Sequence, residues 1–188
     1  MSFKRMNLQT NSGLPPRLKW AVEVLDAQSN ERVLEIGCGN GAALAELSKT
    51  LVNGIAVGID RSETAIAAAR KRLEREIRQG TVQLIHSSLE SARIDPSFDK
   101  AFAVNINAFW LSPHGVLQRL RQVLVRGGMI FLFYEPPSPA QLKKIESKSL
   151  LHLREFGFEI KTIERKPLDK RELIGIVALN STTYQHHR

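Results

Sequence analysis

Apolar residues along this chain fall into two patterns that alternate from one end towards the other. Residues 33–36, 55–59, 81–85, 98–104 and 129–134 are short, nearly continuous apolar blocks, the pattern of strands covered on both faces. Between them the apolar positions fall at helical spacing. Leu18, Val22 and Leu25 mark a helix over 17–27, and Leu44, Leu47 and Leu51 one over 42–51. Ser62 reads as the N-cap of a third helix, whose stripe is Ala65, Ile66, Ala69, Leu73 and Ile77 and which Gly80 closes. Leu117, Leu120 and Leu124 place a helix over 116–125, which Gly127-Gly128 stops sharply before the fifth strand. A further helix over 139–156 precedes two last strands, 159–164 and 172–179. Only a short joint around 166–170 separates these two, which suits a hairpin. Strands alternating with helices predict an α/β fold, and the final hairpin places strand seven antiparallel in an otherwise parallel, Rossmann-like sheet.

The turn after the first strand carries the candidate chemistry. In Glu35-Ile36-Gly37-Cys38-Gly39-Asn40-Gly41, glycine at every second position leaves no side chain to block a ligand. The helix that follows presents free N–H groups and a positive dipole end. Glu35 stands two residues before the first glycine, where a carboxylate can reach a cationic or hydroxylated part of a ligand. The second strand ends about twenty residues further on in Asp60, placed to accept hydrogen bonds from two ribose hydroxyls.

These residues resemble the class I S-adenosylmethionine-dependent methyltransferases. The family's first motif, an acid, any residue, then Gly-x-Gly-x-Gly, is matched by residues 35–41; its second, an acid closing strand two, is matched in Gly58-Ile59-Asp60-Arg61-Ser62. The resemblance covers roughly residues 17–180. It implies a strand order 3-2-1-4-5-7-6, with Glu35 holding the methionine amino end through the loop and Asp60 the ribose. It also implies S-adenosyl-L-methionine as cofactor. After strand three the family commonly has an acid that accepts a hydrogen bond from the adenine amino group; here the turn is His86-Ser87-Ser88-Leu89, with Ser87 in that place. His86 reads as a rim or packing residue.

In such sheets ligands lie beyond the carboxyl ends of the strands, near the switch in strand order. The predicted cofactor-binding set is therefore Glu35, Gly37, Cys38, Gly39, Asn40, Gly41, Asp60, Arg61, Ser87, Ser88 and Leu89, with Asn105 and Ile106 on the methionine side. A dinucleotide reading stands beside it, because Gly37 to Ala42 also satisfies Gly-x-Gly-x-x-Ala and Asp60 suits the ribose of NAD. Against that reading, Glu35 beside a pyrophosphate is repulsive, and the chain has no Tyr-x-x-x-Lys pair.

The acceptor side falls to residues 105–114 and 134–139. Glu135 and His114 are the candidate general bases and Tyr134 a candidate for orienting an acceptor. Each has a plainer role open to it, Glu135 in capping the following helix and His114, with Pro113, in shaping a turn. Asn107, Phe109, Trp110 and Glu135 are the candidate substrate-pocket residues. No Asn/Asp-Pro-Pro-Tyr/Phe sequence follows strand four, no cysteine pair exists for cytosine C5 chemistry, and no metal-ligand spacing appears. A small-molecule acceptor and a metal-free reaction are expected.

Composition changes the picture in two places. The 188 residues, 43% of them hydrophobic, suit one methyltransferase domain, with residues 1–16 as an arm and 181–188 as a polar tail. No stretch reads as a membrane span or a signal peptide, and the only cysteine, Cys38, reads as a small loop residue, which points to the cytoplasm. The net charge of +8 raises nucleic acid as a partner, through Arg70-Lys71-Arg72 with Arg75 and Arg78, through Lys143-Lys144, and through residues 161–171. Without aromatic interleaving these clusters read first as solvated faces. An RNA-modifying methyltransferase and a non-catalytic S-adenosylmethionine-binding protein are the alternatives to a small-molecule enzyme, and the oligomeric state stays open.

Overall fold

In a computed structural model that describes residues 13–95, 97–168 and 171–181, seven strands form one sheet in the order β3-β2-β1-β4-β5-β7-β6. The strands are β1 (Arg32–Ile36), β2 (Ile55–Asp60), β3 (Val82–His86), β4 (Phe98–Val104), β5 (Leu124–Tyr134), β6 (Phe158–Leu168) and β7 (Arg171–Asn180). β1 to β5 pair in parallel, and β7 runs antiparallel to both β5 and β6. The expected order and the antiparallel seventh strand are both present. The helices are α1 (Pro16–Leu25), α2 (Ala42–Leu47), α3 (Glu63–Arg72), α4 (Glu74–Arg78), α5 (Ala108–Leu111), α6 (Pro113–Val123) and α7 (Pro139–Glu155).

Strand side chains alternate between two apolar layers, as a period of two requires. Leu34, Ala101, Ile130, Leu132 and Ile174 join the layer under α5, α6 and α7. Val33, Phe102, Phe131, Phe133 and Val177 join the layer under α1, α2 and α3. Trp20 of α1 meets Phe133 edge to face, with ring centroids 5.4 Å apart. Lys100, buried in β4, donates to the carbonyls of Leu25 and Asp26 at 3.0 and 2.9 Å and pairs with Glu31 at 3.0 Å, so it caps the C-terminus of α1.

Besides the final hairpin, where β6 runs on to Leu168 and takes in part of the joint expected at 166–170, the elements depart from the sequence pattern in four places. The helix expected over 42–51 ends at Leu47, where Lys49 and Thr50 N–H groups turn back on Glu46 and Leu47 in a tighter coil; Leu51 is still buried. The helix expected up to Gly80 breaks at Leu73 into α3 and α4, and α4 buries no residue. Ser62 does cap α3, accepting from the Ala65 N–H at 3.2 Å. Gly127-Gly128 does not stop the chain: β5 begins at Leu124, and its register with β4 jumps from Phe98↔Leu124 to Lys100↔Met129. The glycines sit in that bulge, Gly127 at φ +77, where a side chain would be strained. The fourth departure is α5, a four-residue helix that no periodicity announced. The N-terminal arm before Gly13, the tip of the β6–β7 hairpin and the tail after Ser181 lie outside the described residues.

Candidate functional site

β1 delivers the chain to a turn in which Gly37, Gly39 and Gly41 all have positive φ, at 75°, 52° and 73°. Residues with a Cβ rarely adopt that conformation, which explains the alternate-glycine spacing. The N–H groups of Gly37 and Cys38 both donate to the Ile59 carbonyl, at 2.8 and 3.0 Å, and fasten the turn to the tip of β2. Asp60, the next residue, accepts from the Gly39 N–H through Oδ2 at 2.8 Å and from the Ser62 N–H through Oδ1 at 2.9 Å. A Cβ on Gly37 would collide with the side chain of Ile106, so the turn lies flush against the segment that follows β4.

Glu35 lies beneath this turn and is 3% exposed. Its Oε2 is buried and has no hydrogen-bond partner among the described residues. Burial pushes its pKa well above the ordinary carboxylate value, and the negative charge of Asp60 adds to the shift. A buried carboxylate with a free oxygen is costly unless something cationic meets it. Cys38 packs against Gly58 and the α2 side of the sheet. Burial first, then Glu35 and Asp60, push its thiol up to about 12, so it is no nucleophile.

Beside the turn, at the tips of β1, β2 and β3, a cleft of about 140 Å³ opens. Gly37, Asp60, Arg61, Ser87, Ser88, Leu89 and Ile106 of the predicted set line it. Ser87 is held there by its N–H on the Asp60 carbonyl at 3.0 Å. Ile36, Ile59, Glu90, Ala108 and Val116 also line the cleft and were not singled out by sequence reasoning. For Glu90 the signal was an acid three residues after the expected place; for the isoleucines it was their position at strand ends.

The other predicted residues lie elsewhere. Asn40 borders a separate hollow between α2 and the segment leading into α1, and its carbonyl accepts from Arg72 Nε at 3.0 Å. Asn105 is in the left-handed region at φ 57 and bridges two strand tips, its N–H donating to the Phe133 carbonyl and its Oδ1 accepting from the Glu135 N–H, both at 2.8 Å. His86 rests its Nε2–H on the Arg61 carbonyl at 3.0 Å.

Of the acceptor-side candidates, Phe109 and Trp110 are buried in the layer under α7, at 1% and 7% exposed, and do not line the cleft. Asn107 precedes the turn that carries them, and its Oδ1 accepts from Trp110 Nε1 at 3.2 Å. His114 stacks edge to face on Phe156, at 5.5 Å. Burial pushes the Tyr134 hydroxyl pKa up, and that hydroxyl donates to the Ile106 carbonyl at 3.3 Å. The Glu135 carboxylate takes Arg171 on Oε1 at 2.9 Å and Arg17 on Oε2 at 3.4 Å. Among the described residues no helix is long and apolar enough to cross a membrane.

A seven-stranded sheet of this order, with a glycine turn and an acid at neighbouring strand tips, defines a Rossmann-like methyltransferase fold. A family model described as a methyltransferase domain matches residues 34–130, more than half of the chain. An uncharacterized methyltransferase of Bacillus subtilis, YdaC, is 26% identical over 146 residues, covering 75% of this chain and 78% of its own. A trans-aconitate 2-methyltransferase of Acidovorax ebreus is 28% identical over 141 residues; the match takes in 71% of this chain but only 52% of that enzyme's length. In fold, the chain is similar to a SAM-dependent methyltransferase from Aquifex aeolicus, with a TM-score of 0.70, 20% identity, and coverage of 86% and 88% of the two chains. The chain belongs to the methyltransferase-domain family. It is an S-adenosylmethionine-dependent methyltransferase.

Proposed function

We propose that the 35–41 turn and Asp60 hold S-adenosylmethionine, and that the methyl group passes to a small-molecule acceptor. The observation that carries the first part is the buried Glu35 oxygen without a partner at the foot of the glycine turn. That oxygen suits the ammonium of the methionine moiety and would repel a pyrophosphate, which disfavours the dinucleotide reading. Asp60 still has lone pairs for two ribose hydroxyls beyond its two backbone contacts. Ser87, Ser88 and Leu89 border the adenine end, where Glu90 offers the acid that Ser87 lacks. Ile106 bounds the methionine side.

The cofactor, when bound, supplies an electrophilic sulfonium methyl, so the chain's task is to position a nucleophile in line at about 3 Å and to exclude water. Of the two candidate bases, Glu135 neutralises two arginines, while His114 is exposed and rests its ring edge to face on Phe156; Tyr134, the candidate for orienting an acceptor, is buried and donates to a carbonyl. With Glu135 held by two arginines, an acceptor that is already nucleophilic is favoured over one needing that carboxylate as a base. Two relatives are named for a small-molecule acceptor, trans-aconitate.

Calorimetry tests the cofactor site. Asp60→Ala and Asp60→Asn should each weaken S-adenosylmethionine at least tenfold, because about 1.4 kcal/mol or more of charge-assisted hydrogen bonding is lost. Affinity equal to that of the parent chain would remove Asp60 from the site, and tight binding of NAD would replace the reading. For the acceptor, cell extract incubated with methyl-labelled cofactor and fractionated should carry label in small molecules. Label found only in RNA would overturn that half.

A further inference from the structure

A larger cavity, about 480 Å³, opens beyond β5 on the same edge of the sheet as the glycine turn. The segment after β5, the first turn of α7 and the mouth of the β6–β7 hairpin enclose it. Pro136, Pro137, Pro139, Pro167 and Leu142 supply apolar walls. Four prolines make those walls stiff, so a ligand entering them pays little for ordering the site. β1, β4, β5 and β7 are successive neighbours. With strands about 4.8 Å apart, the cavity is therefore roughly 10–14 Å along the row of tips from the β1 turn.

Its charges are not evenly matched. The two acids in the wall, Glu146 and Glu172, are both held by Arg165, at 2.7 and 3.0 Å. Arg171 is spoken for by Glu135, which Arg17 also reaches. Lys143 lines the cavity and forms no ion pair among the described residues, and Lys144 and Lys148 extend the exposed basic side of α7 behind it. In the lining itself two carboxylates thus stand with three cations, and Lys143 is the cation with no carboxylate partner among the described residues.

We propose that this cavity binds the non-reacting end of the methyl acceptor, and that this end is an anionic group, carboxylate or phosphate, on an apolar stem of roughly 10–14 Å, set by the strand spacing. The stem packs on the prolines and Leu142, and Lys143 meets the anion. The assignment to the acceptor rests on the reading that the glycine turn holds the methyl donor; the cavity's preference for anions does not.

The test uses the full chain and needs no acceptor in hand. Octyl phosphate, octanoate and neutral octyl glucoside are titrated against the labelled protein by heteronuclear NMR, below their micelle concentrations. The anions should give saturable shifts at the amides of Ser138, Lys143 and Arg171, at least tenfold tighter than octyl glucoside, and the tighter of the two names the acceptor's group. Lys143→Glu, a change at an exposed helix position, should weaken the anions at least tenfold and leave octyl glucoside and S-adenosylmethionine affinity unmoved. Equal affinity for charged and neutral probes, or no effect of Lys143→Glu, overturns the proposal. If Asp60→Ala leaves cofactor affinity intact while the anions still bind, the link to the acceptor is overturned and the anion site stands.

Discussion

Keeping Glu35 ionised under the glycine turn costs folding free energy, because burial and Asp60 both favour its protonated form. Its folded-state pKa is raised, so the folded protein binds the proton more tightly than the unfolded chain does. The stabilisation is fully present below the ordinary carboxylate range and is lost as pH rises from there through the raised value. Glu35→Gln should therefore melt higher than the parent chain at pH 8, with the gap closing towards pH 4. The same variant should bind S-adenosylmethionine at least tenfold more weakly, since a charge-assisted contact worth about 1.5 kcal/mol or more is gone. Thermal melts across pH check the first outcome, where a gap independent of pH would count against it; calorimetry checks the second. Glu35 and Asp60 could be singled out from sequence because motif spacing fixes them on adjacent strand tips. Glu90 was passed over although it stands three residues after the expected acid, because the short irregular turn after β3 decides which side chain reaches the cleft. Phe109 and Trp110 show the opposite difficulty: aromatic residues in a loop-like stretch look the same whether they line a pocket or fill a core.

At the scale of elements, α1 shows how a helix outside the βα repeat is moored. Its middle packs Trp20 on Phe133, its start ties Arg17 to Glu135, and its end is capped by the Lys100 ammonium. Lys100→Met keeps the apolar stem but leaves two carbonyls and Glu31 without their cation. It should cost about 2–4 kcal/mol, read as a lower urea midpoint with an unchanged slope. A loss under about 0.5 kcal/mol would mean that water replaces the ammonium. Nothing in the sequence singled out Lys100 for this role, because a lysine inside an apolar strand finds its partners only through tertiary contacts. The strands themselves were legible from their apolar runs. Helix ends were less so, because the stops at Leu47 and Leu73 answer to packing on the sheet rather than to glycine or proline. The bulge at Gly127-Gly128 mimicked a stop because a strand bulge and a turn make the same demand on φ.

For the molecule as a whole, Cys38 is a built-in reporter. It sits where the turn, β2 and α2 meet, and its thiol, pushed up to about 12, is both shielded and protonated. An aromatic disulfide reagent at pH 8 should label it only as fast as that junction opens, and saturating S-adenosylmethionine should slow labelling at least tenfold. Labelling at the rate of a free thiol would mean that the junction is loose. At this scale the antiparallel β7 was legible from the short joint before it, and the strand order only through the family resemblance; the proline-walled cavity was not legible, because α7 and the hairpin bring together residues about thirty positions apart. The direction of β7 has a practical corollary. It carries the backbone away from the ligand end and delivers Asn180 to the opposite rim, where its amide meets the carbonyls of Arg121, Leu124 and Val125. A fluorescent protein or affinity handle joined downstream of that point starts from the rim opposite the glycine turn.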